Sequence, residues 1–352
     1  MTIDPPAVAE LGVIEGFYGN TWSWSAREDM ARFLAGNGYG FYCYAPKADA
    51  YLRKRWREQW PQAEFRQLLT FRGQCRSLEL QWGIGLSPFE LWQDWGSSAR
   101  QQLISKLDEI LALQPDRLCL LFDDMRGDWP DLAPVQAEIA NEVQSYCGIP
   151  LLLCPTYYSF DPILEQLFGT RPAQYWQQLG SDLRDDIAVM WTGDQVISPQ
   201  LATEGLHDIA QRLGRKPVLW DNVMANDGRR SSPFLPLQSI QQRVASARND
   251  VTGHIINPMN QPYLAQLVLH TANYDGDTDA LIKALKETCS PALAARIESD
   301  LPQMRDVGLE QMNETSRLAL VSTYSRFAEP CALDVLDWLK GHYRFDPQCL
   351  TG

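Results

Sequence analysis

The chain has 352 residues, 45% of them hydrophobic and 21% charged. That is close to the average soluble globular protein, which excludes a disordered, collagenous or fibrous chain and leaves one large domain or two ordinary ones. Its 31 basic and 44 acidic side chains give a formal charge of −13, the wrong sign for gripping a phosphate backbone, so no nucleic-acid partner is expected.

The first residues, Met1 to Pro6, carry neither the basic n-region nor the apolar h-region of a leader. No apolar run approaches the ~18 residues of a membrane span. The expectation is a cytoplasmic protein with no membrane partner. Short apolar runs then alternate with stretches of helical spacing. The spacing predicts strands at 11–16, 40–44, 81–86, 117–122, 149–154, 187–191, 216–220 and 253–257, and helices at 25–36, 63–80, 98–114, 132–146, 173–179, 198–213 and 262–272. The first helix carries a capping-box pattern, Ser25-x-x-Glu28, and stops at Gly36-Asn37-Gly38. Eight alternations over about 260 residues predict an α/β protein, a (β/α)8 TIM barrel. A doubly wound open sheet is the alternative, although no GxGxxG follows the first strand. Beyond residue 275 only helical patterns remain, at 280–289, 291–307, 310–327 and 333–342. The expected division is therefore a barrel domain, 1–274, and a small C-terminal helical region, 275–352. Trp338, Tyr343 and Phe345 near its end could pack on the barrel or meet another subunit.

Eight scattered Cys without a CxxC pair, several inside apolar runs, read as buried reduced thiols. Four His without i, i+3 or i, i+4 spacing leave little for a zinc site or a His-based triad. No metal and no cofactor is expected. The twelve Trp, thirteen Tyr and twelve Phe supply flat apolar faces that suit sugar rings, aromatic ligands or a large core alike.

In such a barrel the reacting groups sit where strands end. The polar residues after the apolar runs include Glu15-Gly16, Lys47, Asp123-Asp124, Tyr157-Tyr158, Thr192, Asp221-Asn222 and Asn257. The sharpest element is Asp123-Asp124. Two adjacent carboxylates closing an apolar strand face desolvation and like-charge repulsion unless they share a proton or a ligand. Such a pair is expected to titrate in two coupled steps, one member ionised and the other protonated near neutral pH, which suits acid/base work. A solvated loop start or an N-cap would show the same two letters, but the place at the end of a central strand favours the paired site.

Taken in order, Gly12-Val13-Ile14-Glu15-Gly16-Phe17-Tyr18-Gly19, Tyr44-Ala45-Pro46-Lys47, Leu121-Phe122-Asp123-Asp124, Cys154-Pro155-Thr156, Trp191-Thr192-Gly193, Trp220-Asp221-Asn222 with Asn226-Asp227, and Asn257-Pro258 resemble the motif set of glycoside hydrolase family 84. That family holds the O-GlcNAcases and the bacterial β-N-acetylglucosaminidases once called hyaluronidases. The resemblance runs from residue 11 to about 272. It implies retaining exo-hydrolysis of terminal β-linked N-acetylglucosamine (GlcNAc) from a glycoside or glycopeptide, with the substrate's acetamido oxygen as nucleophile and an oxazoline intermediate, an exception to the usual pair of straddling carboxylates. By the same likeness Asp123 would orient the acetamido N–H and Asp124 would serve as acid and base. Tyr158 would donate to the acetamido oxygen, Asn222 would support that group, and Trp220 and Thr192 would wall its pocket. Lys47 and the backbone of Gly16 would hold hydroxyls near C3, and Asp227 and Asn257 those at C4 and C6.

Two letters depart from the pattern. Ala48 stands where the resemblance expects Asp, so Lys47 is expected to lack one partner. Tyr157 stands where Glu is expected, on the leaving-group side. The chain reads as a minimal catalytic unit without an added α/β domain or carbohydrate-binding module, and its aglycone is expected to be set by loops 54–61, 92–97 and 227–236. An endo-acting hyaluronidase and a non-catalytic GlcNAc-binding barrel are the competing functions. A net charge of −13 opposes the first, since it would repel a polyanionic chain. The intact acid pair opposes the second.

Overall fold

The computed structural model describes residues 10–274, 279–343 and 345–351. The expected domain boundary at 274/275 and the leader-like question at residues 1–6 therefore touch positions outside the described residues. Eight strands, β1 (Glu10–Glu15), β2 (Phe41–Tyr44), β3 (Gln81–Leu86), β4 (Arg117–Leu121), β5 (Leu151–Cys154), β6 (Ile187–Trp191), β7 (Val218–Asp221) and β8 (Gly253–Ile256), pair in sequence order. All neighbours are parallel, and β1 closes on β8 with Leu11 opposite His254. The ring is thus a (β/α)8 barrel rather than the open sheet, and closure leaves no strand edge to protect. Apart from a few positions, mostly at strand starts, both faces of the strands are buried, one inside the ring and one under helices, which is why the strands read as nearly continuous apolar runs. Inside the ring, side chains from alternate strands meet in layers: the Cys43 and Cys119 sulfurs, from β2 and β4, lie 3.4 Å apart.

The outer layer is α1 (Trp24–Gly36), α2 (Gln62–Ser77), α3 (Ser97–Ala112), α4 (Leu132–Cys147), α5 (Ile163–Phe168), α6 (Tyr175–Asp182), α7 (Thr203–Leu213), α8 (Gln241–Ala247) and α9 (Pro262–His270). The capping residue of α1 is Ser23, whose side chain accepts from Ala26 N. Ser25 lies inside the first turn, so the cap stands two residues upstream of the expected one, and with Ala26 three residues after Ser23 the reciprocal half of a capping box is missing. The helix does end at Gly36, with Gly38 in the left-handed region. Helices α5 and α8 went unread in the sequence because each is under eight residues long, too short to establish a period.

Beyond the barrel come α10 (Ala280–Thr288), α11 (Pro291–Pro302), α12 (Gly308–Gln311), α13 (Glu314–Tyr324) and α14 (Pro330–Leu339). The predicted helix at 310–327 is broken because Asn313 starts a new helix, its side chain accepting from Ser316 N. Helix α14 packs on α9, and Trp338 is fully buried there. The Asp334 carboxylate accepts the amides of Tyr263 and Leu264 at 2.8 and 3.0 Å, supplying the cap that α9 lacks in its own sequence. Burial pushes Asp334 up to about 7. Among the described residues no helix is long and apolar enough to cross a membrane.

Candidate active site

Successive residues of a strand point to opposite faces, so Asp123 and Asp124 could not share one cavity if β4 simply ran on. It does not. Phe122 N still bonds Cys154 O at 2.8 Å, and two residues later Asp124 takes φ +56°. The left-handed region is costly for a residue with a Cβ and is held only where surroundings enforce it. Here Thr156 Oγ1 donates to Phe122 O at 2.9 Å, Gln136 Nε2 donates to Thr156 Oγ1 at 2.7 Å, and Arg53 donates to Asp124 O at 3.2 Å. The turn aims both carboxylates into one cavity.

The two acids have different partners. Asp123 is nearly buried and pairs through Oδ2 with the Lys47 ammonium. Its Oδ1 is buried and has no hydrogen-bond partner among the described residues. Asp124 is half-buried and accepts from Tyr158 OH at 2.9 Å on one oxygen and Tyr18 OH at 2.8 Å on the other. Burial and the neighbouring Asp124 push both phenols well above their ordinary value, so they remain proton donors.

The opposite arc of the ring is a closed polar net. Trp220 Nε1 donates to Asn222 Oδ1 at 2.9 Å, Asn257 Nδ2 donates to the same oxygen at 3.0 Å, and Asn222 Nδ2 donates to Val196 O at 2.9 Å. Asn257 Oδ1 accepts the Gly16 amide at 3.1 Å. A Cβ on Gly16 would come within 2.5 Å of the Trp220 ring, so only glycine lets β1 close against that indole. Behind this net Asp221 accepts from His254 at 2.8 Å and Arg243 at 2.5 Å. Burial alone would raise Asp221, but these two partners win and hold it at about 2. Asp227, which accepts the Tyr18 amide at 2.7 Å, has no cation in hydrogen-bond contact among the described residues, and burial pushes it up to about 6.

All ten residues singled out from the sequence, Gly16, Lys47, Asp123, Asp124, Tyr158, Thr192, Trp220, Asn222, Asp227 and Asn257, line this one cavity. Three expectations change in detail. Lys47 does not want for a partner at Ala48, which is exposed; its ammonium is held by Asp123. Tyr157 does not reach the cavity. It is buried behind the rim, donates to Gly169 O at 2.6 Å, and packs so tightly on Gly127 that a Cβ there would lie 2.6 Å from its hydroxyl. The Gly16 amide is already engaged by Ile14 O and Asn257, which leaves its carbonyl as the group able to meet a hydroxyl.

Sequence reasoning passed over Tyr18, Arg53, Cys349 and Thr351. Tyr18 sat inside a quoted motif without a role. Arg53 and the 349–351 segment carry no local signal, because only long-range packing brings them to the site. Among the described residues no cluster of three or more His, Cys, Asp or Glu is placed to hold a metal ion.

The chain has known relatives. The model of the beta-N-acetylglucosaminidase family matches residues 11–294. Over 237 residues the chain is 32% identical to the protein O-GlcNAcases of Rattus norvegicus and Mus musculus, covering 64% of this chain and 25% of each of them. The chain thus spans about a quarter of the length of these curated relatives. Its fold is similar to that of a mutant Thermobaculum terrenum O-GlcNAc hydrolase, with a TM-score of 0.73 and 24% identity over 94% of this chain and 80% of that one.

Proposed function

Because the chain belongs to the beta-N-acetylglucosaminidase family, glycoside hydrolase family 84, we propose that it removes terminal β-linked GlcNAc from glycosides or glycopeptides by substrate-assisted, retaining hydrolysis. The observation that carries the reading is the buried, unpartnered Oδ1 of Asp123 beside the two-donor site of Asp124. A buried carboxylate oxygen without a donor is costly, and an acetamido N–H is a donor of the right kind.

In this reading Lys47 holds one oxygen of Asp123, and the other accepts the acetamido N–H as that nitrogen gains positive charge. The acetamido oxygen attacks C1, the bond from C1 to the leaving oxygen breaks, and Asp124 transfers its proton to that oxygen. Tyr158 turns its hydroxyl from Asp124 to the acetamido group. An oxazoline remains, and water opens it at C1 while Asp124 recovers the proton. Two displacements at C1 retain configuration. Trp220 and Thr192 wall the acetamido group, with Asn222 supporting it. Lys47 and the Gly16 carbonyl meet the hydroxyl at C3, and Asp227 and Asn257 meet those at C4 and C6. The catalytic unit in this reading is the barrel, 1–274, with 275–352 as a helical subdomain. Cysteines scattered along the chain, with no disulfide among the described residues, support a cytoplasmic setting.

The test is turnover of aryl β-GlcNAc glycosides. Asp124→Ala is expected to lower kcat/KM by ~10²–10⁴, most for poor leaving groups. Asp123→Ala is expected to slow all leaving groups alike, and the matching aryl β-glucoside, which lacks the acetamide, is expected to be inert. Equal turnover of the glucoside, or an Asp124→Ala enzyme as fast as its parent, would sink the reading. GlcNAc binding without any turnover would favour the non-catalytic barrel, and chain depolymerisation without monomer release the endo-acting one.

A further inference from the structure

Residues 345–351 lie beyond the family match, yet they run back across the mouth of the barrel. The Asp346 amide donates to Asp227 O at 3.4 Å. The Asp346 carboxylate accepts the Gln348 amide at 2.8 Å, and its carbonyl accepts the Cys349 amide at 2.9 Å, so residues 346–349 make a tight turn. Lys54 Nζ donates to the Gln348 side chain, and just upstream Asn20 Nδ2 donates to His342 O at 2.6 Å. These attachments belong to the loops after β7, β2 and β1. In the ring those strands are contiguous through β8, so the segment bridges the β7–β8–β1–β2 arc. After the turn, Cys349 and Thr351 line the cavity while Leu350 between them is exposed, the alternation of an extended segment. The arc beneath carries Asp227, Asn257, Gly16 and Lys47; Asp124, Tyr158 and Thr192 lie on the other side. The segment thus stands along one side of the cavity, over the arc that holds Asp227.

We propose that residues 345–351 are a specificity-determining wall that closes the cavity behind the C4 and C6 hydroxyls, so that a GlcNAc bearing a further sugar at C4 is rejected. This rests on the reading above for which end of the sugar faces Asp227. Discrimination here comes from a steric block against the wrong substrate, not from added affinity for the right one.

The test compares the full chain with two variants, one with residues 345–351 replaced by a Gly/Ser segment of equal length and one carrying Cys349→Gly with Thr351→Gly, which keeps the turn. Aryl β-GlcNAc and the aryl β-glycoside of chitobiose are the substrates, and the readout is the rate of direct chitobiose release relative to GlcNAc release. That ratio is expected to rise by about tenfold or more in both variants. An unchanged ratio overturns the wall; if both rates climb together, the segment is a plug instead. Should the parent fail to cleave aryl β-GlcNAc, the hydrolase reading is the one that fails. Calorimetry with GlcNAc thiazoline and its 4-O-GlcNAc derivative then reads the wall without turnover. The wall requires that the parent bind only the first and the variants both; equal discrimination, or no binding at all, overturns it.

Discussion

Two buried carboxylate clusters, on neighbouring parts of the same barrel, are built on opposite plans. Glu15, at the end of β1, turns outward under α1, where Arg27 grips both its oxygens at 2.6 and 2.9 Å and Tyr42 OH adds a third bond at 2.6 Å. Every strong acceptor site there is used, and the cluster faces no cavity. Asp123, at the end of β4, has one cation on one oxygen and, among the described residues, no hydrogen-bond partner on the other, and it shares its cavity with Asp124 and Asp227. A closed cluster returns its desolvation cost as fold stability, whereas an open one keeps unspent acceptor capacity for a ligand and holds like charges together without it.

Removing one partner from each cluster should separate the two plans most widely. Glu15→Gln leaves Arg27 buried without its counter-charge and is expected to cost about 3–5 kcal/mol of unfolding free energy. Asp123→Asn also strands a buried ammonium, that of Lys47, but it relieves repulsion with Asp124 and Asp227, so its loss of stability is expected to be the smaller of the two while hydrolysis collapses. Equal losses of stability in the two variants, measured by chemical denaturation, would break the contrast.

A second, smaller effect lies in pH. Asp227 sits above its ordinary value, at about 6, so its ionisation is opposed by the fold. The stability tied to its neutral form is full below about pH 4 and is lost as pH rises through about 6. Asp221 sits below its ordinary value, at about 2; its contribution is present above about pH 4 and lost as pH falls through about 2. If the Asp227 carboxylate must be ionised to accept from sugar hydroxyls, kcat/KM should rise with pH through about 6, and Asp227→Asn should flatten that limb. Its persistence in the variant would assign it to another group. The smallest effect is expected from Tyr18→Phe, which takes one of two donors from Asp124. A loss of roughly tenfold in kcat/KM with unchanged Tm is expected, and a marked loss of Tm would move Tyr18 to the structural plan.

Much of this was legible in the linear chain. Parallel strands buried on both faces must be apolar throughout and then turn polar where they emerge, so eight runs and the polar letters after each could be read without coordinates, and the ten residues at those ends share one cavity. Composition and periodicity determine that much because each depends on neighbours a few residues away. The decisive features of the site depend on contacts far apart in sequence. The left-handed turn that brings Asp124 beside Asp123, the phenol of Tyr18 reaching Asp124 across 106 residues, and the single pairing that leaves Asp123 Oδ1 free have no local signature. The same holds for residues 345–351, which no period or motif marks. They are held at the mouth by contacts to Asp227, Lys54 and Asn20, all more than 100 residues away in sequence. Tertiary packing alone decides which acid is satisfied and which stays open.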